Sequence, residues 1–222
     1  MVSIIKNSLN RITIFTLVFF QVFLTFSLVL SFALLGPVAL SEAASCVPTQ
    51  SLTEGPYYST DTPVRANISP GQVGTKTKLT LTVVDSSCKA IKGAKVDIWH
   101  ANAAGKYSAV EGISGNFGRG TQITNSKGEV TFTTIYPGWY PGRTMHIHFK
   151  VWRNGSEVLT SQFFSSDADN AKIYATGAYA SRGNQNTSLA QDRIYNELSN
   201  PKSLTLKLSI KSVISGTAKI VI

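Results

Sequence analysis

The stretch YPGWYPGRTMHIHF, residues 136–149, is the part of the chain that decides its fold. Its last residues predict a β-strand in which side chains two apart point to the same face. His146 and His148 should therefore face one way, and Ile147 the other. Just upstream, proline favours an extended conformation for the residue before it, which should hold Tyr140 in place. A fixed tyrosine beside a histidine pair indicates a metal site.

The same alternation of apolar and polar residues recurs along the rest of the chain. Leu79, Leu81 and Val83 alternate with polar residues, as on a half-buried strand. The dipeptide Asn154-Gly155 between two alternating runs is a strong hairpin signal. Strands are predicted over residues 78–85, 94–100, 129–135, 144–152, 158–164, 203–210 and 217–222.

The segments between these runs predict loops and one helix. A polar, glycine-rich segment ending at Gly120 and the segment 167–187 should both be loops. Residues 188–198 are the best helix candidate, because Ala190, Ile194 and Leu198 are spaced by four. Many short strands and one helix predict an all-β fold. We expect an Ig-like or transthyretin-like β-sandwich core with long loops and one short C-terminal helix.

The first 44 residues have the composition of a targeting segment. After Lys6 and Arg11 no charged residue occurs until Glu42, and small residues follow it. A basic start, an apolar run and small residues are typical of an export signal. The run is also long enough for a membrane anchor, since about 20 apolar residues cross a bilayer. We expect residues 1–44 to be a signal peptide or anchor, residues 45–222 to be one domain, and the protein to be exported, periplasmic or extracellular.

The charge of the exported part is positive. The whole chain has 21 basic and 12 acidic residues, so removing Lys6, Arg11 and Glu42 leaves 19 and 11, a net charge of +8. This favours a soluble basic surface or attraction to anionic cell-wall or acidic small molecules. The basic residues are scattered and no nucleic-acid motif accompanies them, so no nucleic-acid partner is predicted.

The only two cysteines, Cys46 and Cys88, lie in the exported part. An even pair in an oxidising compartment predicts a disulfide. A catalytic cysteine is disfavoured, because neither residue is near a histidine in the sequence.

Four motifs in a fixed order resemble those of the intradiol ring-cleavage dioxygenases. They are TEGPYY (residues 53–58), VDIWHANAAGKYS (96–108), YPGWYPGRTMHIHF (136–149) and TSQFF (160–164). The likeness spans roughly residues 46–208 and is closest to the short exported members of that family.

The resemblance implies a non-haem ferric ion held by two tyrosinates and two histidines. On this chain the ligands would be Tyr107, Tyr140, His146 and His148, with Tyr140 the ligand that substrate displaces. Arg143 would lie against the bound catechol. The implied reaction uses O2 to cleave the ring between its two hydroxyls and gives a muconate-type dicarboxylic acid.

Other pocket residues are assigned less directly. The resemblance places Gln162 in the substrate pocket, and we expect Tyr57 and Tyr58 at its mouth. His100 is interpreted as a hydrogen-bonded structural histidine. The sequence carries no signal for an oligomeric state.

Two other functions stay open at this point. One is a metal-free binding or cell-surface module on the same sandwich. The other is a zinc or ferrous enzyme that uses only the histidines. Phenolate oxygen is a hard anionic donor that suits Fe(III), whereas zinc sites prefer Cys, His and carboxylate. The set of two tyrosines and two histidines therefore favours the ferric dioxygenase.

Overall fold

The strands of this protein form two sheets of four. The computed structural model describes residues 45–110 and 112–222, and all bounds below refer to that part of the chain. The strands are β1 (Lys76–Val84), β2 (Lys95–Trp99), β3 (Arg119–Ile123), β4 (Glu129–Ile135), β5 (His146–Arg153), β6 (Ser156–Phe164), β7 (Lys207–Ser209) and β8 (Ile214–Val221).

The strand order is β4-β1-β8-β7 in one sheet and β3-β2-β5-β6 in the other. All pairs are antiparallel except β1 with β8. The alternating apolar residues of both sheets meet in one core, where Leu79 and Leu81 of β1 share a cluster with Ile147 and Phe149 of β5. All four are buried, so burial of these faces holds the sheets together. The predicted all-β sandwich is confirmed.

The predicted hairpin between β5 and β6 is also present. Asn154 and Gly155 both have positive φ, at 52° and 81°. Positive φ at both central residues is the geometry of a type I′ turn, which Asn-Gly favours because it matches the twist of the flanking strands. The turn and a register shift of one residue between Val151 and Trp152 together set the pairing that places Gln162 opposite His148.

Strand β3 lies where the sequence predicted the end of a loop. The segment Arg119–Ile123 has no apolar alternation, yet its first three residues are buried. Gly120 leaves room for Ile68, whose side chain would collide with any Cβ at this position. The Arg119 guanidinium is also buried and donates to the carbonyl oxygens of Tyr57 and Ser108. Hydrogen bonds and close packing form this strand, and neither is visible in a hydropathy pattern.

The position predicted for the helix is wrong. The α-helix in the described residues, α1, spans Asp167–Tyr174, and its N-terminus is capped by Ser166, whose hydroxyl accepts from the Asp169 amide. The predicted segment 188–198 instead forms two short 3₁₀ turns. Asp192 separates the turns because it is extended (ψ 114°) and its carboxylate accepts from the Ile194 amide. A local side-chain hydrogen bond therefore replaces the helix.

The predicted disulfide between Cys46 and Cys88 is present. It joins the start of the described chain to the turn after β1, and the Cys46 amide also donates to the Ser86 carbonyl oxygen. Residues 1–44, predicted as a signal peptide or anchor, lie outside the described residues. Within the part described, no helix has the length and apolar character needed to cross a membrane.

Replacing both cysteines, Cys46→Ser with Cys88→Ser, should lower the free energy of unfolding by about 2–4 kcal/mol. The crosslink closes a loop of 42 residues, and the chain-entropy model assigns roughly 4 kcal/mol to such a loop. Denaturant unfolding of the double variant and of the oxidised wild type measures the difference. Equal midpoints would contradict the prediction, and so would labelling of both thiols in unreduced wild type.

Candidate metal centre and active site

Strand β5 presents its two histidines to one side and its apolar residues to the core. It lies between β2 and β6, and every residue from His146 to Val151 is buried. The imidazole rings of His146 and His148 are adjacent, with centroids 4.9 Å apart. The predicted same-face pair is therefore formed, and it is buried rather than solvated.

Two tyrosine hydroxyls converge on one nitrogen of this pair. Tyr107 follows β2 and Tyr140 follows β4, and the oxygen of each lies 3.1 Å from Nε2 of His146. The other ring nitrogen, Nδ1, is 2.7 Å from the carbonyl oxygen of Thr144, so it carries the proton and donates. Nε2 consequently presents its lone pair to both phenols.

Close contact between two loops brings the tyrosines together. A Cβ added at Gly138 would collide with the Ala103 carbonyl oxygen, and one at Gly105 would collide with that of Trp139. Gly105 also has φ +75°, which a side chain would strain. These glycines let the loop that carries Tyr107 pack directly on the loop that carries Tyr140.

His148 is held by stacking instead of hydrogen bonding. Its ring lies parallel to Trp99, with centroids 4.9 Å apart and an interplanar angle of 10°. Its Nδ1 is buried without a hydrogen-bond partner among the described residues. Gly55 covers the ring, and a Cβ there would approach Cε1 to 3.3 Å.

Burial keeps all four side chains neutral when no cation is bound. It raises the pKa of Tyr107 well above its usual value, with a further rise from the neighbouring Tyr140, and it also raises the pKa of Tyr140. Burial, reinforced by Arg143, lowers the pKa of His146 to about 3. Burial and the adjacent His146 lower the pKa of His148 well below its usual value.

This arrangement fits a metal ion. One lone pair on His146 faces two O–H donors, and it can accept from only one of them. A cation among these atoms would be bound by the imidazole nitrogen and by both phenol oxygens, and it would lower the pKa values that burial raises. No group of three or more His, Cys, Asp or Glu suited to a metal is found in residues 45–110 and 112–222.

Arg143 lies at the edge of this centre in a hydrogen-bonded chain. Its Nη2 donates to Oε1 of Gln162 at 2.6 Å, and Nε2 of Gln162 donates to the Thr53 carbonyl oxygen at 2.8 Å. Its Nε donates to Oδ2 of Asp192 at 2.9 Å. Gln162 is fully buried and is not among the residues that line the open cleft. Its side-chain amide contacts Arg143 and the Thr53 carbonyl oxygen.

Asp192 is the residue of this group that sequence reasoning missed. It lies 49 positions after Arg143 in a segment predicted to be helical, and no local pattern joins the two. In the predicted helix Asp192 would lie on the polar face, where an acidic residue is ordinary, so the local sequence gives no signal for its role.

An open cleft of about 190 Å³ leads to the tyrosine pair. Tyr57, Tyr107, Tyr140, Val110 and Pro141 form most of its walls. The Tyr57 ring stacks on Tyr107 with centroids 4.7 Å apart. Tyr58 instead packs against Trp99, with its hydroxyl on Asp97.

His100, the third histidine, has a structural environment. Its Nε2 is 2.7 Å from the Thr134 hydroxyl oxygen, and its Nδ1 is 2.8 Å from the Ala101 carbonyl oxygen. Burial lowers its pKa to about 4. The interpretation of His100 as a hydrogen-bonded structural residue agrees with these contacts.

Comparison with known proteins identifies the class. A family model described as "Dioxygenase" matches residues 53–184, more than half of the chain. Tyr57, all four candidate ligands, Arg143 and Gln162 lie within this region.

Solved structures show the same architecture. An intradiol ring-cleavage dioxygenase from Tetranychus urticae is 31% identical and aligns with a TM-score of 0.74, covering 79% of this chain and 94% of that one. The dioxygenase domain of a dioxygenase carbohydrate-binding protein fusion from Streptomyces sp. SirexAA-E is 29% identical, with a TM-score of 0.62 and coverage of 79% and 98%.

Among characterised sequences, a catechol 1,2-dioxygenase of Candida albicans is 30% identical over 156 residues, covering 57% of this chain and 51% of that protein. The β chain of a Burkholderia cepacia protocatechuate 3,4-dioxygenase is 33% identical over 110 residues, covering 43% and 47%. The chain thus spans about half the length of these relatives. It belongs to the intradiol ring-cleavage dioxygenase family.

In the metal-free protein, replacing His100 should reduce the rate at which the free energy of unfolding falls as the pH is lowered from 7 to 4. Folded His100 stays neutral down to about pH 4, whereas the unfolded residue binds a proton below about 6.5. The folded state therefore loses about 1 kcal/mol of stability per pH unit from this residue between those values. Urea unfolding of wild type and His100→Gln between pH 7 and 4 measures the two slopes. Parallel slopes would contradict the assigned environment.

Proposed function

We propose that this protein is an exported non-haem Fe(III) dioxygenase. It cleaves a catechol ring between its two hydroxyls with O2 and gives a muconate-type dicarboxylic acid that contains both oxygen atoms. The observation that carries the proposal is the convergence of the Tyr107 and Tyr140 hydroxyls on Nε2 of His146, with His148 adjacent.

The donor set supports a ferric ion. Tyr107, Tyr140, His146 and His148 would hold it through two phenolate oxygens and two neutral imidazoles. Hard oxygen anions suit a hard trivalent cation, and two phenolates offset most of its charge in a buried site. When bound, the ion supplies an acceptor for both catechol oxygens and activates the ring towards O2.

The side chains around the cleft would orient the substrate. Tyr57 and Tyr140 are both walls of the cleft, and their aromatic rings would pack against a flat catechol ring. The Arg143 guanidinium lies beside Tyr140 and stabilises the negative charge of an ionised diol. Gln162 keeps Arg143 at this edge through its Oε1.

Tyr140 is suited to accept a proton from the incoming diol. It is part-buried at the cleft wall, whereas Tyr107 lies deeper, with only 4% of its surface exposed. A phenolate at position 140 can leave its place, take the proton and stay beside Arg143. Tyr107 has Tyr57 stacked on it and would keep its position.

The substrate class is a catechol. Relatives with similarity to this chain are named for catechol, chlorocatechol, hydroxyquinol and protocatechuate, all of which carry adjacent ring hydroxyls. The two adjacent oxygens are the feature that a metal centre beside the cleft would bind.

Export is part of the proposal. The composition of residues 1–44 supports it, and so does the Cys46–Cys88 disulfide, a bond that persists in oxidising compartments. The mass of the mature chain isolated from membrane and soluble fractions distinguishes removal of the segment from retention as an anchor. A full-length chain in the cytosol would overturn export.

Iron loading should yield about one ferric ion per chain and a visible tyrosinate-to-iron absorption band. His146→Ala and His148→Ala should each abolish ring cleavage and lower iron content, because each removes a neutral nitrogen ligand. His100→Ala is the matched control, as a third buried histidine outside the centre, and should keep iron and colour. Metal analysis, the spectrum and product analysis check this.

The alternatives give different results in the same experiment. Stoichiometric zinc would favour a metal site made by the histidines alone. A colourless protein that takes up no metal would favour a metal-free binding module. Cleavage outside the diol would overturn the intradiol assignment even in an active enzyme.

The two tyrosines should differ on substitution by phenylalanine. Tyr107→Phe should lower iron retention and shift the absorption band with and without substrate. Tyr140→Phe should retain iron and bind catechol but lose about 10²–10⁴-fold in kcat, because it removes the group that accepts the diol proton. Tyr174→Phe, a buried tyrosine bonded to the Pro137 carbonyl oxygen, is the control. If Tyr140→Phe loses iron while Tyr107→Phe keeps it, Tyr140 is the permanent ligand and Tyr107 the one that accepts the proton.

A further inference from the structure

Asp192 is a buried carboxylate in contact with the edge of the candidate centre. It has no exposed surface and accepts four hydrogen bonds. Oδ1 accepts from the amides of Ile194 and Tyr195, at 2.9 and 3.1 Å. Oδ2 accepts from the Thr144 amide at 2.8 Å and from Nε of Arg143 at 2.9 Å. Its position is therefore fixed from both sides.

Arg143 is the cation that pairs with this charge. The two groups form the only ion pair of Asp192 within residues 45–110 and 112–222, and the Arg143 side chain is 17% exposed. A buried carboxylate that loses its cationic partner is costly, so Arg143 is held at this contact. The carboxylate itself is anchored to backbone amides, which keep it in place when substrate enters the cleft.

The geometry of the contact determines which edge of the guanidinium is free. Oδ2 of Asp192 accepts a hydrogen bond from Nε of Arg143, and Oε1 of Gln162 accepts one from Nη2 at 2.6 Å. Gln162 cannot turn its amide, because its Nε2 donates to the Thr53 carbonyl oxygen. The remaining N–H groups of Arg143 lie toward the Tyr140 hydroxyl at the cleft wall, and they are the ones that could meet a substrate oxygen there.

We propose that Asp192 is a positioning residue that fixes Arg143 beside Tyr140, so that its remaining N–H groups point to the place at the cleft wall where a diol would bind. This inference rests on the proposed function for its catalytic consequence, although the contact itself does not depend on it. Asp192 also follows the 53–184 region matched by the family model, so a segment outside that region completes the centre. Small displacements of a positioned group reduce rate strongly, because the stabilising contact is made only at the correct distance.

The test compares two equally buried aspartates. Asp192→Asn removes the charge and keeps an acceptor, and it should lower kcat about 10–100-fold with a smaller change in KM and with iron content and absorption band retained. Asp97→Asn is the matched control, because Asp97 is 1% exposed, accepts from Thr121 and Trp152, and does not contact Arg143. Asp192→Glu, which keeps the charge on a longer side chain, should show an intermediate loss and serves if the Asn variant does not fold.

A double-variant cycle separates positioning from a general loss of structure. If Asp192 acts through Arg143, adding Asp192→Asn to Arg143→Met should cause little further loss of kcat. Losses that multiply independently would overturn the proposal. Equal losses in Asp192→Asn and Asp97→Asn would also overturn it.

A second readout does not require activity. In metal-free protein, modification of Arg143 by phenylglyoxal should be several-fold faster in Asp192→Asn than in wild type, with exposed Arg153 as the internal reference in peptide mass spectra. An unchanged rate at Arg143 would overturn the proposed clamp. If no catechol is cleaved by iron-loaded wild type, the proposed function fails, and the modification rates still decide whether Asp192 holds Arg143.

Discussion

Strand β5 has one face in the core and the opposite face against the two loops that carry the tyrosines. The rest of the structure depends on keeping each face on its own side. Ile147 and Phe149 are in the core between the sheets, while His146 and His148 face the tyrosine loops. A shift of one residue in register would exchange these faces and bury two imidazoles in the core. Neighbouring strands on both sides and the Asn154-Gly155 hairpin fix the register. The same hydrogen bonds therefore determine the core and the candidate metal centre.

Burial keeps this candidate centre uncharged when no cation is bound. Two phenols and two imidazoles are all neutral at this depth, because burial raises the pKa of the tyrosines and lowers that of the histidines. An ion that binds phenolate strongly overcomes this cost. Among the described residues two arginines act on these side chains. Arg143 has its charge paired with Asp192, and Arg119 donates to the carbonyl oxygens of Tyr57 and Ser108. In the proposed ferric site, the two phenolates would neutralise most of the charge of the metal.

Local alternation was sufficient to predict most strands, the hairpin and the histidine pair, since each depends on neighbours in sequence. It failed for β3, which forms through Gly120 and the buried Arg119, and for the helix, which begins after Ser166 instead of Ser188. The tyrosines were assigned from family resemblance, because their contact with His146 depends on two loops that meet only in the fold. Asp192 was missed for the same reason.

The failed helix prediction and the missed carboxylate have one physical cause. Ala190, Ile194 and Leu198 have helical spacing, but Asp192 is extended and uses its carboxylate to accept from the amides of Ile194 and Tyr195. In a continuous helix those amides would bond to carbonyl oxygens one turn earlier. The interruption is what allows Asp192 to reach Arg143 as well. A segment that gives up helical hydrogen bonds to place a buried charge beside a candidate active site indicates that the charge is used there.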